Sequence, residues 1–85
     1  MRGRRPDPLV LSPRDIPVLR GIARRDSLPW YQVRRARIAL AIAAGERRHV
    51  VAARMLCDAA SVWRTCRRYE ESGLAGLLAD YYLGK

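Results

Sequence analysis

Cysteine is scarce in this sequence of 85 residues, and its scarcity limits metal and disulfide chemistry. The two cysteines, Cys57 and Cys66, follow the single histidine, His49, at distances that match no zinc-binding spacing. Two cysteines in a chain of this kind are usually small hydrophobic side chains of the core. We therefore predict two packed, reduced thiols and no cofactor, with a structural metal or a disulfide as the alternative.

Long uninterrupted apolar segments are absent as well. A membrane span needs about 18 consecutive apolar residues, and the longest weakly polar segment, residues 38–45, is much shorter and consists mostly of alanine. Near the N-terminus, Pro8 and Pro13 bracket only three apolar residues, too few for the core of a secretory signal. These absences predict a cytoplasmic protein with no membrane partner.

Acidic residues are also few: eight of them face seventeen basic residues, which gives a net charge of +9. Lys85 is the only lysine, so the remaining basic residues are all arginine. So strong a positive charge in one small domain indicates a polyanionic partner, because cations near phosphates release condensed counterions. The alternative is a surface whose charge only improves solubility. We predict a nucleic acid as the partner and, with it, association with the nucleoid.

The first eleven residues form a predicted flexible arm, because Pro6 and Pro8 disfavour regular structure. The arm carries three arginines, Arg2, Arg4 and Arg5. Two interpretations stay open for them: insertion into a narrow minor groove, which attracts arginine, or transient contacts with phosphates. Residues 12–80 are predicted to form the folded domain, and residues 81–85 a short tail.

Helical periodicity begins soon after the arm. The first helix starts at Ser12 or, because Pro17 disfavours the earlier start, at Asp15, and it ends near residue 25. Apolar residues at helical spacing predict that one face of this helix is buried. That face consists of Ile16, Leu19, Ile22 and Ala23.

A second helix is predicted from Pro29 or Trp30 to Ala44, where Gly45 ends it. The first half of this helix is basic. The second half, residues 38–44, is apolar on all sides, which is typical of a helix at the centre of a domain. An amphipathic membrane helix is disfavoured because the polar face is too narrow.

Two shorter helices joined by a tight turn follow, and this pattern is typical of a helix-turn-helix. The first spans residues 50–56, and Asp58 caps the second, which ends at Gly73. Ala52 is small enough for the two helices to cross closely, and Val62 is expected to anchor the crossing. The predicted inner residues are Val51, Ala52 and Met55 in the first helix and Val62, Cys66 and Tyr69 in the second.

The second helix of the pair, residues 59–72, is the predicted recognition helix. Arg64 is the expected base contact, since a bidentate arginine–guanine pair is the commonest specific contact in the major groove. Ser61 either donates to a phosphate or caps its own helix. The full set of candidate DNA-binding residues is Arg48, Ala59, Ala60, Ser61, Arg64, Arg67 and Arg68, together with the three arm arginines; Arg48, Arg67 and Arg68 are assigned to phosphates.

From Leu11 to about Asp80 the chain resembles the N-terminal DNA-binding region of mariner-like bacterial insertion-sequence transposases. The resemblance rests on four segments: 35–38, 51–55, 61–62 and, most specifically, 67–80 (RRYEESGLAGLLAD). It implies an all-α, compact four-helix domain of the homeodomain-like helix-turn-helix class, which binds double-stranded DNA.

The chain departs from this family at several positions. Arg47 and Arg48 stand where a serine or threonine is usual, and a tryptophan occurs at Trp63 rather than at Thr65. Family members continue after the position of Asp80 into a second DNA-binding segment and a catalytic domain. None of the eight acidic residues of this chain can be assigned to a catalytic carboxylate cluster. We therefore expect DNA recognition without enzymatic activity, in a transposase-derived protein or a regulator.

Two other function classes compete with this interpretation. A protein-interaction or dimerisation module would use Trp63, Tyr81 and Tyr82, and a homodimer would also suit a DNA-binding protein, because two half-sites raise its affinity. We favour a packing or partner role for Trp63 over a base contact. An RNA-binding protein is less favoured, because the sequence offers no row of aromatic residues on which bases could stack.

Overall fold

The computed structural model describes residues 9–25 and 27–79, and four α-helices without any β-strand make up the regular structure of this part. The all-α, four-helix prediction is therefore confirmed. No helix in the described ranges is long and apolar enough to cross a membrane. The helices are α1 (Asp15–Ala23), α2 (Trp30–Ala43), α3 (Arg48–Arg54) and α4 (Ala59–Leu78).

Helix α1 begins at the later of its two predicted starts. The backbone N–H of Asp15 donates to the carbonyl of Ser12 at 2.9 Å. Pro17 lies in the first helical turn, where a backbone N–H has no intrahelical acceptor, so the proline loses no hydrogen bond. The predicted inner face is confirmed: Leu19 is fully buried, and the other three residues pack against the same cluster.

Helix α2 lies at the centre of the domain, as its apolar second half predicts. It contributes Ala36 and Ala39 to one core cluster, and Ile38 and Ala41 to a second. The first cluster joins α1, α2 and α4, and the second joins α2 to the α3–α4 pair. Because small alanines alternate with isoleucine or leucine in residues 38–43, neighbouring helices approach this helix closely on more than one side.

The packed part of the chain starts earlier than the sequence indicates. Leu9 and Leu11, which the prediction assigns to the end of the flexible arm, are buried in the first core cluster with 3% and 8% of their surface exposed. The remainder of the predicted arm, with Arg2, Arg4 and Arg5, lies outside the described residues. The prediction of a DNA-contacting arm therefore stays a prediction, as does that of the tail.

Two arginines in the basic first half of α2 support the fold. Arg35 is buried, and its Nη1 donates to the carbonyls of Leu77 at 3.1 Å and Ala79 at 2.6 Å, at the end of α4. Arg37 Nε donates to the carbonyl of Ala23 at 3.0 Å, at the end of α1. Carbonyls in the last turn of a helix lack intrahelical donors. The two side chains therefore supply hydrogen-bond donors to the carbonyls at the ends of α4 and α1.

Helices α2 and α3 end in the same hydrogen-bonded motif. At the end of α3, the N–H of Cys57 donates to the carbonyl of Ala52, and the N–H of Leu56 donates to the carbonyl of Ala53. The same pair of bonds closes α2, where Gly45 takes the position that Leu56 has in α3. This is the Schellman arrangement, in which one residue adopts a left-handed conformation and glycine is favoured. Gly45 has φ 101°, and Leu56 has φ 59°. The turn of the helix pair is thus closed by a strained leucine.

Candidate nucleic-acid interface

Helices α3 and α4 pack together in the arrangement expected of a helix-turn-helix. Val51 and Val62 are fully buried at their contact, and Ala52 is 5% exposed beside them. These are the small residue and the apolar anchor that the sequence predicts for the crossing. The close crossing follows from local sequence, because a bulkier side chain at position 52 would hold the helices apart.

The start of α4 is fixed by one side chain. Asp58 Oδ1 accepts a hydrogen bond from the backbone N–H of Ser61 at 2.8 Å, and this bond lowers the pKa of the Asp58 carboxyl. The predicted cap is confirmed. The capping role considered for Ser61 is wrong, because Ser61 supplies the capped N–H, whereas its hydroxyl accepts a long 3.4 Å hydrogen bond from Arg64 Nη2.

One stripe of α4 faces away from the core. Val62, Thr65 and Tyr69 are buried on the inner side. At 100° per residue, the opposite side carries residues spaced by three or four positions, all of them exposed. We call this the outer stripe of α4; it consists of Ala60, Arg64, Arg67 and Glu71. The predicted residues Arg64 and Arg67 therefore share one exposed face with the N-terminal turn.

The other predicted residues of α4 lie beside this stripe. Ala59 is exposed at the first position of the helix, next to Ala60. Ser61 and Arg68 lie on the flank of the helix nearer the core, and both are half-buried. Arg68 lines a shallow depression with Ser72 and Gly76, next to the outer stripe.

Arg67 is held in place by two neighbours on the same helix. Its Nη2 lies 2.6 Å from Glu71 Oε2, and its guanidinium lies over the Trp63 ring at 5.3 Å from the ring centre. Glu71 is not among the predicted residues, although the i, i+4 spacing of opposite charges gives a signal for this pair. Both side chains are exposed, so water screens the ion pair and leaves the arginine available for exchange with a phosphate.

Arg48 stands at the first position of α3, two residues before the predicted start of this helix at residue 50, and its side chain is exposed. It lies close enough to α4 for its charge to act on Cys66, whose pKa is nevertheless raised to about 11, chiefly by burial. That thiol is therefore protonated at neutral pH.

Both cysteines are free and pack against the core, as predicted. The described residues contain no group of three potential metal ligands.

Tyr69 connects the inner side of α4 to the N-terminal segment. Its hydroxyl accepts from the backbone N–H of Ser12 at 2.8 Å and donates to Asp15 Oδ2 at 2.6 Å. Burial and the bond to Asp15 raise the pKa of Tyr69. The start of α1 and the middle of α4 are thereby fixed to each other, which sets the direction in which the outer stripe points.

Comparison with known proteins identifies the family. A family model described as a homeodomain-like domain matches residues 31–78, which is more than half of the chain and runs from the start of α2 to the end of α4. Searches of curated proteins and of solved structures gave no match. Helix α1 and the buried segment before it lie outside the matched range. The chain belongs to the homeodomain-like domain family, whose helix-turn-helix fold indicates DNA binding.

Proposed function

We propose that the chain binds double-stranded DNA by inserting the Ala59–Ser72 part of α4 into the major groove. The observation that carries the proposal is the outer stripe, where two arginines follow an N-terminal turn of small side chains while the opposite side is buried. The major groove is about 12 Å wide and admits one helix. Ala59 and Ala60 allow the helix backbone to approach the base edges closely.

The arginines have different roles in this proposal. Arg64 contacts a base edge, since it lies one turn beyond Ala60 and its 3.4 Å hydrogen bond to Ser61 is long and weak. Arg67, Arg68 and Arg48 contact phosphates on either side of the groove. The arm arginines add electrostatic attraction. Trp63 supports Arg67 from below, which favours a packing role on the DNA-facing side over the partner contact considered for it.

The biological setting belongs to the same proposal. Because residues 67–80 resemble the segment that leaves the recognition helix in mariner-like insertion-sequence transposases, we infer that the domain recognises transposon ends or derives from a protein that does. The chain would contribute recognition, with no catalytic step of its own. A pair of such domains on adjacent half-sites would bind more tightly than one, which is the role we assign to a homodimer.

A salt titration of binding tests the proposal. We expect random duplex DNA to bind more tightly than single-stranded DNA or structured RNA, and each lost phosphate contact to reduce the log–log salt slope by ~0.9. The double variant Arg64→Ala with Arg67→Ala should lose about tenfold or more in duplex affinity. The matched control is Arg20→Ala with Arg24→Ala, which removes the same charge from exposed positions of α1 and its end.

Two results would contradict the proposal. One is duplex binding no tighter than binding to RNA or single strands. The other is equal loss of affinity in the α4 variant and in the α1 control, because that would assign binding to net charge instead of to the outer stripe. Fluorescence anisotropy with labelled oligonucleotides measures both, and circular dichroism verifies that the variants stay helical.

A further inference from the structure

A second surface lies away from the outer stripe of α4. It is a groove formed by the α1–α2 connection, the first half of α2 and the α3–α4 turn, and no residue of α4 lines it. It is lined by four arginines and by five apolar residues, and we call the apolar residues its floor. We call it the Trp30 groove, and its apolar lining consists of Leu28, Trp30, Val33, Met55 and Leu56.

The floor exposes apolar surface that the core does not use. Trp30 is 68% exposed and Leu56 is 91% exposed, so each loses little contact with water in the folded chain. Leu56 also occupies the left-handed position at which glycine is favoured. A leucine there is both exposed and strained, and neither condition stabilises the monomer. Contiguous exposed apolar surface of this kind typically marks an interaction site.

Positive charge surrounds this floor. Arg34 stacks over Trp30 at 4.7 Å, and Arg54 is held at the rim by Glu46 at 2.7 Å. Arg25 and Arg37 complete the lining, and none of the described residues that line the groove is acidic. The hydrogen bond from Arg37 Nε to the carbonyl of Ala23 holds one of these guanidinium groups in place.

Helix geometry separates the groove from the contact between α2 and the end of α4. At 100° per residue, Trp30, Val33 and Arg37 lie on one side of α2. Gln32 and Arg35, which bond to the last turn of α4, lie on the opposite side. A partner in the groove therefore does not compete for the hydrogen bonds that hold α4.

We propose that the Trp30 groove binds an acidic amphipathic segment of a partner protein, with its apolar side chains on the floor and its carboxylates on the rim. Duplex DNA fits this surface less well, since its outside offers phosphates but no apolar side chains for the floor. A second copy of the chain fits less well, because both copies carry a net charge of +9. Aromatic and arginine side chains together are typical anchors of protein interfaces.

Two synthetic peptides test the groove. The first is a helical peptide with leucine and phenylalanine on one face and glutamate on the other; the second keeps every glutamate and replaces each apolar residue by serine. We expect the full chain to bind the amphipathic peptide about tenfold or more tightly than the serine peptide. Trp30→Ala should weaken that binding by a similar factor, whereas Trp63→Ala, on α4, should leave it unchanged.

Leu56→Gly keeps the test interpretable should Trp30→Ala disturb the fold. Glycine relieves the left-handed strain at this position, so the variant should unfold at a higher temperature while binding the amphipathic peptide several-fold more weakly. Its affinity for duplex DNA should stay at the wild-type level. Weaker peptide binding with unchanged DNA affinity would show that the groove acts independently of the proposed DNA-binding surface. Failure of the DNA-binding proposal would be seen in the Arg64→Ala and Arg67→Ala double variant instead.

Three outcomes would overturn the inference. Equal affinity for the two peptides would mean that their negative charge alone determines binding. Unchanged peptide binding in both Trp30→Ala and Leu56→Gly would remove the groove as the site. A greater loss of duplex affinity than of peptide affinity in these variants would reassign the surface to nucleic acid.

Discussion

Arginine has opposite roles at different positions of this domain. Arg35 is buried and donates to two backbone carbonyls, whereas Arg64 and Arg67 are exposed on the outer stripe of α4. The planar guanidinium serves both roles because it presents several donors in a fixed fork. Composition cannot separate the roles, since the basic run in α2 looks as suited to phosphate binding as the run in α4.

Replacing Arg35 by methionine tests the structural role. Methionine keeps the unbranched stem but leaves the carbonyls of Leu77 and Ala79 without these donors, and an unpaired buried acceptor costs about 1–3 kcal/mol. We expect the free energy of unfolding to fall by that amount in urea titrations. Arg24→Met, at an exposed position, is the control. Equal stability of the two variants would show that the buried guanidinium is dispensable.

At the scale of the element, α4 is held at three places. Asp58 caps its start, Tyr69 joins its middle to Ser12 and Asp15, and α2 supplies donors to its last turn. Gly73, with φ 69°, then bends the chain and permits one more helical turn that buries Leu77. The first part of α4 therefore ends at Gly73, where the sequence predicts, but the helical turn after it belongs to the core.

The cap at Asp58 makes the stability of α4 depend on pH. Its folded-state pKa is lowered from 3.8, so the stabilisation is complete above the pKa of an unfolded aspartate and is lost as the pH falls through the folded value. Asp58→Asn keeps a capping oxygen that does not titrate. We expect the variant to lose less stability than the wild type on acidification below about pH 4, in urea titrations followed by circular dichroism. Parallel pH profiles for the two proteins would contradict this role.

At the scale of the whole molecule, the folded domain extends beyond residues 31–78, the range that the family model matches. The segment from Leu9 to Ala23 lies before the matched range, yet it supplies three buried leucines to the first core cluster. Small domains have only ~3–5 kcal/mol of net stability, so the burial of these three leucines decides whether the chain is folded. The outer stripe and the Trp30 groove both depend on a core that α1 completes.

Leu19→Ala tests this dependence. Leu19 is fully buried, and removing a buried leucine side chain costs about 2–5 kcal/mol, which approaches the whole stability of the domain. We expect a large fall in the thermal midpoint and, at the same temperature, weaker DNA binding. Val18→Ala, at a neighbouring position that is 44% exposed, should change stability by about 0.5 kcal/mol or less. Similar midpoints for the two variants would mean that α1 is only loosely attached.

The sequence by itself determined the four helices and most of their ends, although α3 begins two residues before its predicted start and α4 continues past Gly73 to Leu78. Asp58, Gly45 and Gly73 act on their own turn of the chain, and the 3.6-residue spacing of apolar side chains identifies each inner face, so these features are local. The separation of Arg64 and Arg67 from the buried face of α4 follows in the same way.

Only the tertiary structure decided which residues meet across the chain. Arg35 reaches a carbonyl 42 positions away and Tyr69 a backbone amide 57 positions away, and no local spacing encodes such pairs. The burial of Leu9 and the meeting of Trp30 with Leu56 in one groove likewise depend on how the helices cross. Helix crossing is set by the packing of all side chains at once, whereas a cap or a turn is set by a few neighbours.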